Sequence, residues 1–105
     1  MLALALLIGS LHGVVMRGPI TPVCMVGKPC DAPAAHLRLE FVRNGRSFAT
    51  TTDANGRFRI RLPVGTYAVM TLPVPTVGRG VEPRTVRVVA RRDTRVDFHV
   101  DTGIR

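Results

Sequence analysis

From Leu11 onward, hydrophobic and polar residues alternate in short runs separated by turn residues, with no helical period. The clearest run is Arg57-Phe58-Arg59-Ile60-Arg61-Leu62. Successive side chains of a strand point to opposite faces, so Phe58, Ile60 and Leu62 face a core and three arginines face solvent. Residues 36–42 repeat the pattern, with Leu37, Leu39 and Phe41 inward and Arg38 and Glu40 outward. Further strands are predicted over Leu11–Arg17, with Val15 inward, and over Ser47–Thr52, Tyr67–Leu72, Arg84–Ala90 and Arg95–Val100. Seven short strands at this spacing predict an all-β fold, a seven-stranded antiparallel Greek-key β-sandwich.

The residues between the strands have specific turn chemistry. Asn44-Gly45 predicts a two-residue hairpin, whose type I′ turn needs positive φ at both positions. In Asp53-Ala54-Asn55-Gly56, the Asp53 carboxylate can accept a backbone N–H two residues on, and Gly56 relieves left-handed strain. Gly65 opens a tight corner before Tyr67. Asp53, Asn55, Gly56 and Gly65 are therefore read as architectural. The Pro-rich stretches 18–33 and 73–83 are long enough to cross the surface rather than the core.

Composition adds a setting. A chain of 105 residues holds one domain with one core, and 46% hydrophobic residues exclude a disordered chain. Fifteen basic against seven acidic residues give a net charge of +8, which attracts polyanions of any kind. No groove-reading motif or outward aromatic ladder accompanies that charge, so specific nucleic-acid recognition is disfavoured. Arg57, Arg59 and Arg61 stand about 7 Å apart on one face. They read either as a solvated face that blunts aggregation or as a cationic stripe contacting a polyanion, such as a cell-envelope polymer.

Residues 1–10 form an apolar run ending in small residues, like the hydrophobic part of a secretory signal without its basic start. The run is read as a truncated or degenerate leader before a domain at 11–105, the alternative being a buried strand or helix. It is too short to span a bilayer, which takes about 20 apolar residues. Export implies an oxidising setting, where Cys24 and Cys30 read as a disulfide. Closing that loop stabilises by about 2 kcal/mol in the chain-entropy account. Reactive thiols rank lower, and a zinc site lower still, because His12, His36 and His99 are scattered.

Other chemistry finds little support. Asp101-Thr102-Gly103 is the aspartic-protease tripeptide, but a turn closing the last strand explains it without the flap and dyad that chemistry needs. Asp53-x-Asn55-Gly56 lacks the remaining ligands of a calcium loop. Ser10 and Ser47 form no nucleophile–base pair that spacing can place, His99 alternates onto the solvent face, and His12 and His36 read as ordinary strand residues. No catalytic residue, cofactor or metal is assigned, and no enzyme is expected.

The run from Thr52 to Tyr67, TDANGRFRIRLPVGTY, resembles the signature of carboxypeptidase regulatory-like domains, which share the transthyretin-like sandwich. Gly18-Pro19, Thr21-Pro22-Val23-Cys24, Pro29-Cys30, Pro33-Ala34 and the closing Asp101-Thr102-Gly103-Ile104-Arg105 extend the resemblance to small exported bacterial proteins of this group. It implies a secreted or envelope module with a structural or binding role. In metallocarboxypeptidases such a domain stands beside the catalytic unit and supplies no zinc ligand. Hydroxyisourate hydrolases resemble the same fold but close with Tyr-Arg-Gly-Ser, which this chain lacks. A polyanion-binding protein is the alternative, and an unrecognised hydrolase on this fold is third. The partner, an unknown protein or an envelope polymer, is not named by the sequence.

Overall fold

One long strand organises half of the molecule. The computed structural model describes residues 7–18, 27, 30–72 and 80–101. Its strands are β1 (Ile8–Gly18), β2 (Ala32–Pro33), β3 (Arg38–Arg43), β4 (Arg46–Thr51), β5 (Arg57–Pro63), β6 (Gly65–Leu72), β7 (Val81–Glu82), β8 (Thr85–Val88), β9 (Asp93–Arg95) and β10 (Phe98–Asp101). No helix occurs among the described residues. The strands form two sheets, a larger one built on β1 and a smaller one ordered β4-β3-β6-β8.

On one edge of β1, β5 pairs antiparallel from Ile8 to Val14, and β2 takes over at Met16 and Arg17. Val15 marks the change of partner. Its N–H donates to the Gly56 carbonyl at 2.7 Å, and its own carbonyl accepts from Ala34 at 2.8 Å. On the other edge β9 and then β10 run parallel to β1 in one register, and β7 pairs with the far side of β10.

All the predicted strands have counterparts, with three corrections. The predicted last strand is interrupted, and two-residue strands β2 and β7 are added, so ten strands replace seven. The all-antiparallel expectation fails for β9 and β10, because the chain leaves β8 and crosses to the open edge of β1 in the direction of β1 itself. That crossing is tied down by Arg91 donating to the Ile8 carbonyl and Ser10 donating to the Arg92 carbonyl, both at 2.9 Å. His36 is a turn residue at φ 54°, so β3 starts at Arg38. At the other end of the domain, β1 takes in Ile8, Gly9 and Ser10, whereas residues 1–6 of the expected leader lie outside the described residues.

The parallel ladder lapses at Val96–Asp97. There the Val96 carbonyl turns onto Gly13, where any Cβ would collide with it. The Asp97 carboxylate substitutes for the missing backbone acceptor, taking the Val14 N–H at 3.0 Å. The ladder remains closed at this point because one side chain completes it.

Between the sheets lie Leu11 and Val15 of β1, Leu39 and Phe41 of β3, Phe58 and Leu62 of β5, and Tyr67 and Val69 of β6, all buried. Phe41, Phe58 and Phe98 form a three-ring cluster with centroids 5.6–6.4 Å apart. Such tilted contacts add about 0.5–1.5 kcal/mol each beyond burial. Buried Thr52 donates to the Ala34 carbonyl and accepts the Leu37 N–H, so its hydroxyl is satisfied both as donor and as acceptor. Where β5 leaves for the smaller sheet, the Tyr67 hydroxyl donates to the Pro63 carbonyl at 2.6 Å. Gly65 at that corner has φ 150°, and the Arg43 guanidinium fills the space a side chain would need.

Candidate functional site

The outer face of the larger sheet is a grid set by strand register. One row across β5, β1 and β9 is Arg61–Ser10–Asp93, and the next is Arg59–His12–Arg95. Arg57 opposes Val14 in the third row, beside Asp97. Arg57, Arg59 and Arg61 are all exposed on this face. The fold brings His12 between Arg59 and Arg95, so a row of cationic and titratable groups crosses the strands as well as following β5.

Asp93 is held from two sides. Its Oδ1 accepts from Ser10 Oγ at 2.7 Å, and its Oδ2 lies 3.0 Å from His12 Nδ1. That nitrogen is shielded from solvent and has no other partner, so the contact is a hydrogen bond only when Nδ1 carries the proton. The Ser10 hydroxyl, then the His12 bond, hold the Asp93 carboxyl below its ordinary 3.8. Ser10 therefore binds the carboxylate and not the imidazole, unlike the nucleophile of a Ser-His-Asp triad. Asp97 is likewise held low, first by the Val14 N–H and then by Arg95, whose Nε is 3.4 Å away.

His12 and Arg95 border an open groove of about 580 Å³ whose lining also includes Arg57, Arg59, Asp53, Thr50 and Thr51, whereas Ser10 and Asp93 lie on a neighbouring cavity. Arg61 lies outside the groove, on that second cavity of about 210 Å³ with Arg91 and Arg92. The three-arginine stripe read from the sequence is thus divided between two hollows.

The architectural residues position one end of the groove. Asp53 Oδ1 accepts the Asn55 N–H at 2.8 Å and the Arg57 N–H at 2.9 Å. These bonds, the Arg57 one foremost, keep its carboxyl below 3.8. Gly56, at φ 77°, is buried against β1, and an added Cβ would press on the Val15 carbonyl at 2.5 Å. The turn therefore presses Arg57 to the groove, while Gly65 serves the distant corner.

The remaining sequence candidates lie elsewhere. His99 is exposed, 3.5 Å from the Asp31 carboxylate. Cys30 is not a free thiol, and its expected partner Cys24 lies outside the described residues, as do residues 102–105. Among the described residues no group of three or more His, Cys, Asp or Glu could hold a metal, and no helix is long and apolar enough to cross a membrane. Sequence reading missed Ser10, His12, Asp93 and Arg95 as neighbours. Their period-two placement marks them as outward, but nothing local announces a contact across 83 residues.

No family model and no curated protein matches the chain. Among solved structures it is similar to the Bacillus anthracis TIE protein, with a TM-score of 0.59 and 16% identity. The alignment covers 90% of this chain and 16% of that one. At this identity the likeness concerns the fold alone.

Proposed function

We propose that this chain is a non-catalytic binding module of the carboxypeptidase regulatory-like group, a transthyretin-like Greek-key sandwich. It acts in an exported setting, secreted or at the cell envelope, and meets its partner through the outer face of the larger sheet. The observation that carries this reading is the open groove flanked by Arg57, Arg59 and Arg95 around His12. Open concave surfaces with a few convergent polar groups are where ligands dock. The family reading is supported by the Asp53–Gly56 turn and the Tyr67–Pro63 corner, the two devices its motif supplies.

The partner is an unknown protein or an envelope polymer. The net charge of +8 favours a polyanion as the second, narrower reading. Salt separates the two, since polyanion contacts collapse between low and moderate ionic strength and a desolvated protein contact does not. Carrying Arg57→Glu together with Arg59→Glu should abolish polymer retention on an affinity column. Full retention by that double variant would remove the outer face from consideration. We also assign Cys24 and Cys30 to a disulfide. Thiol titration of exported protein should find none free, and two reactive thiols would dismiss both the bond and the oxidising compartment.

A further inference from the structure

We propose that the row Arg59–His12–Arg95, closed at one end by Arg57, is a subsite for one phosphate or sulfate group. The proposal rests on the binding-module reading above and gives its groove a ligand chemistry. Arg59 and Arg95 are the direct cross-strand neighbours of His12. Adjacent strands lie about 4.8 Å apart, so the two guanidinium-bearing residues flank the imidazole at that spacing. Arg57 stands one row along the same strand as Arg59 and lines the same groove.

Arg57 and Arg59 are available, and Arg95 is shared with Asp97 through long contacts. The Asp93 carboxylate is 4.0 Å from Arg59, and the Asp97 carboxylate meets Arg95 with both oxygens, at 3.4 Å from Nε and 3.4 Å from Nη2, with both arginine side chains about two-thirds exposed. Contacts of that length at a surface hold weakly. Arg57 makes no ion pair within 4 Å among the described residues, and Asp53 beside it spends Oδ1 on two backbone N–H groups. Asp93 is engaged by Ser10 and lies 3.0 Å from His12 Nδ1, so Nε2 is the ring nitrogen of this groove-lining residue left for a ligand. When both ring nitrogens carry protons, Nδ1–H donates to Asp93 and Nε2–H donates to a bound oxygen.

The number of donors selects the ligand. Three guanidiniums arriving from two columns of the sheet, with Thr51 on the rim, match the three terminal oxygens of an esterified phosphate or sulfate. A carboxylate has two oxygens, which a single guanidinium fork can occupy. Arg61 provides an internal control, because it shares the strand and the exposure of Arg57 and Arg59 but lies on the other cavity.

The test is an NMR titration of the full chain with inorganic sulfate, inorganic phosphate and acetate at constant ionic strength. Sulfate and phosphate should move the His12 ring signals saturably, and acetate should bind more weakly. Arg57→Gln and Arg59→Gln should each weaken sulfate binding by about three- to tenfold, tenfold being 1.4 kcal/mol, whereas Arg61→Gln should leave it unchanged. Equal losses in the Arg59 and Arg61 variants would overturn the subsite and leave a diffuse basic face, with the wider reading intact. Unmoved His12 signals in the native chain would also overturn the subsite. If the Arg57→Glu, Arg59→Glu double variant still binds envelope polymer in full, the wider reading falls with it.

Discussion

The two sheets solve the same burial problem in different ways. The smaller sheet is a regular antiparallel ladder, paired in continuous register from β4 through β3 and β6 to β8. Its outer face is bland, with Ala49, Ala68, Met70 and Ser47 exposed beside an Arg38–Glu40 pair at 3.6 Å. The larger sheet is irregular. Its central strand changes partner on one edge at Val15 and loses its ladder on the other at Val96–Asp97, where glycine lets a carbonyl approach. The mixed cluster of serine, histidine, aspartate and arginine lies on this irregular sheet, whereas on the smaller one Arg43 and Arg46 face each other only at the hairpin end. Because β1 is shared by strands from distant parts of the chain, Ser10, Arg59, Asp93 and Arg95 converge on one face. Regular pairing yields an inert surface here, and shared pairing yields a chemically mixed one.

The comparison is most easily broken at Gly13. Gly13→Val places a side chain where the Val96 carbonyl sits, and should cost about 3 kcal/mol or more by denaturant unfolding. Ala68→Val, on the bland outer face, should stay within about 0.5 kcal/mol. Similar costs at the two sites would mean that the sheets do not differ as described. A smaller loss is expected from Thr52→Val, which strips the Ala34 carbonyl and the Leu37 N–H of a buried partner, at about 2 kcal/mol. Tyr67→Phe removes the bond to Pro63 at the corner joining the sheets and should cost about 1 kcal/mol in the same assay.

The smallest effect is set by acid. Asp53, Asp93 and Asp97 all titrate below their ordinary 3.8 in the folded chain. A depressed folded value means that each contribution is fully present above 3.8 and is lost as pH falls through the lowered values. These groups are exposed, so the net change in stability is slight. Its location is informative. Amide exchange in acid should first release Val14, Asn55 and Arg57, whose N–H groups bond to Asp97 or Asp53, before the β3–β6 ladder. Simultaneous release of both sheets would show that the carboxylates do not brace the larger one.

Much of the fold was legible because side-chain period and turn chemistry are local signals. Alternation placed Leu39, Phe41, Phe58 and Leu62 in the core, where they are buried. Asn44 and Gly45 adopt the positive φ values of 50° and 77° that their turn requires. Asp53 accepts the N–H two residues on, as its turn chemistry demands. The misses are non-local. Nothing near Asp97 announces that its carboxylate completes a ladder with Val14, and a parallel pairing leaves no hairpin to betray it. The site followed the same division. Its arginines were visible as an outward run, whereas the partition that separates Arg61 from Arg59 depends on which strands lie alongside.

The shared central strand also sets an order of assembly. The smaller sheet draws on residues 38–88 and can pair as they emerge during synthesis. In the larger sheet β1 can pair with β5 once residue 63 has emerged, but its opposite edge stays open until β9 and β10 arrive, 83 residues after their partners. Closing a loop of that span is a slow, entropically opposed step. In the interval the open edge of β1 lacks its parallel partners, and Phe41 and Phe58 lack the ring of Phe98 that completes their cluster. The open edge of β1 is therefore exposed to wrong partners until the last two strands dock and Asp97 closes onto Val14.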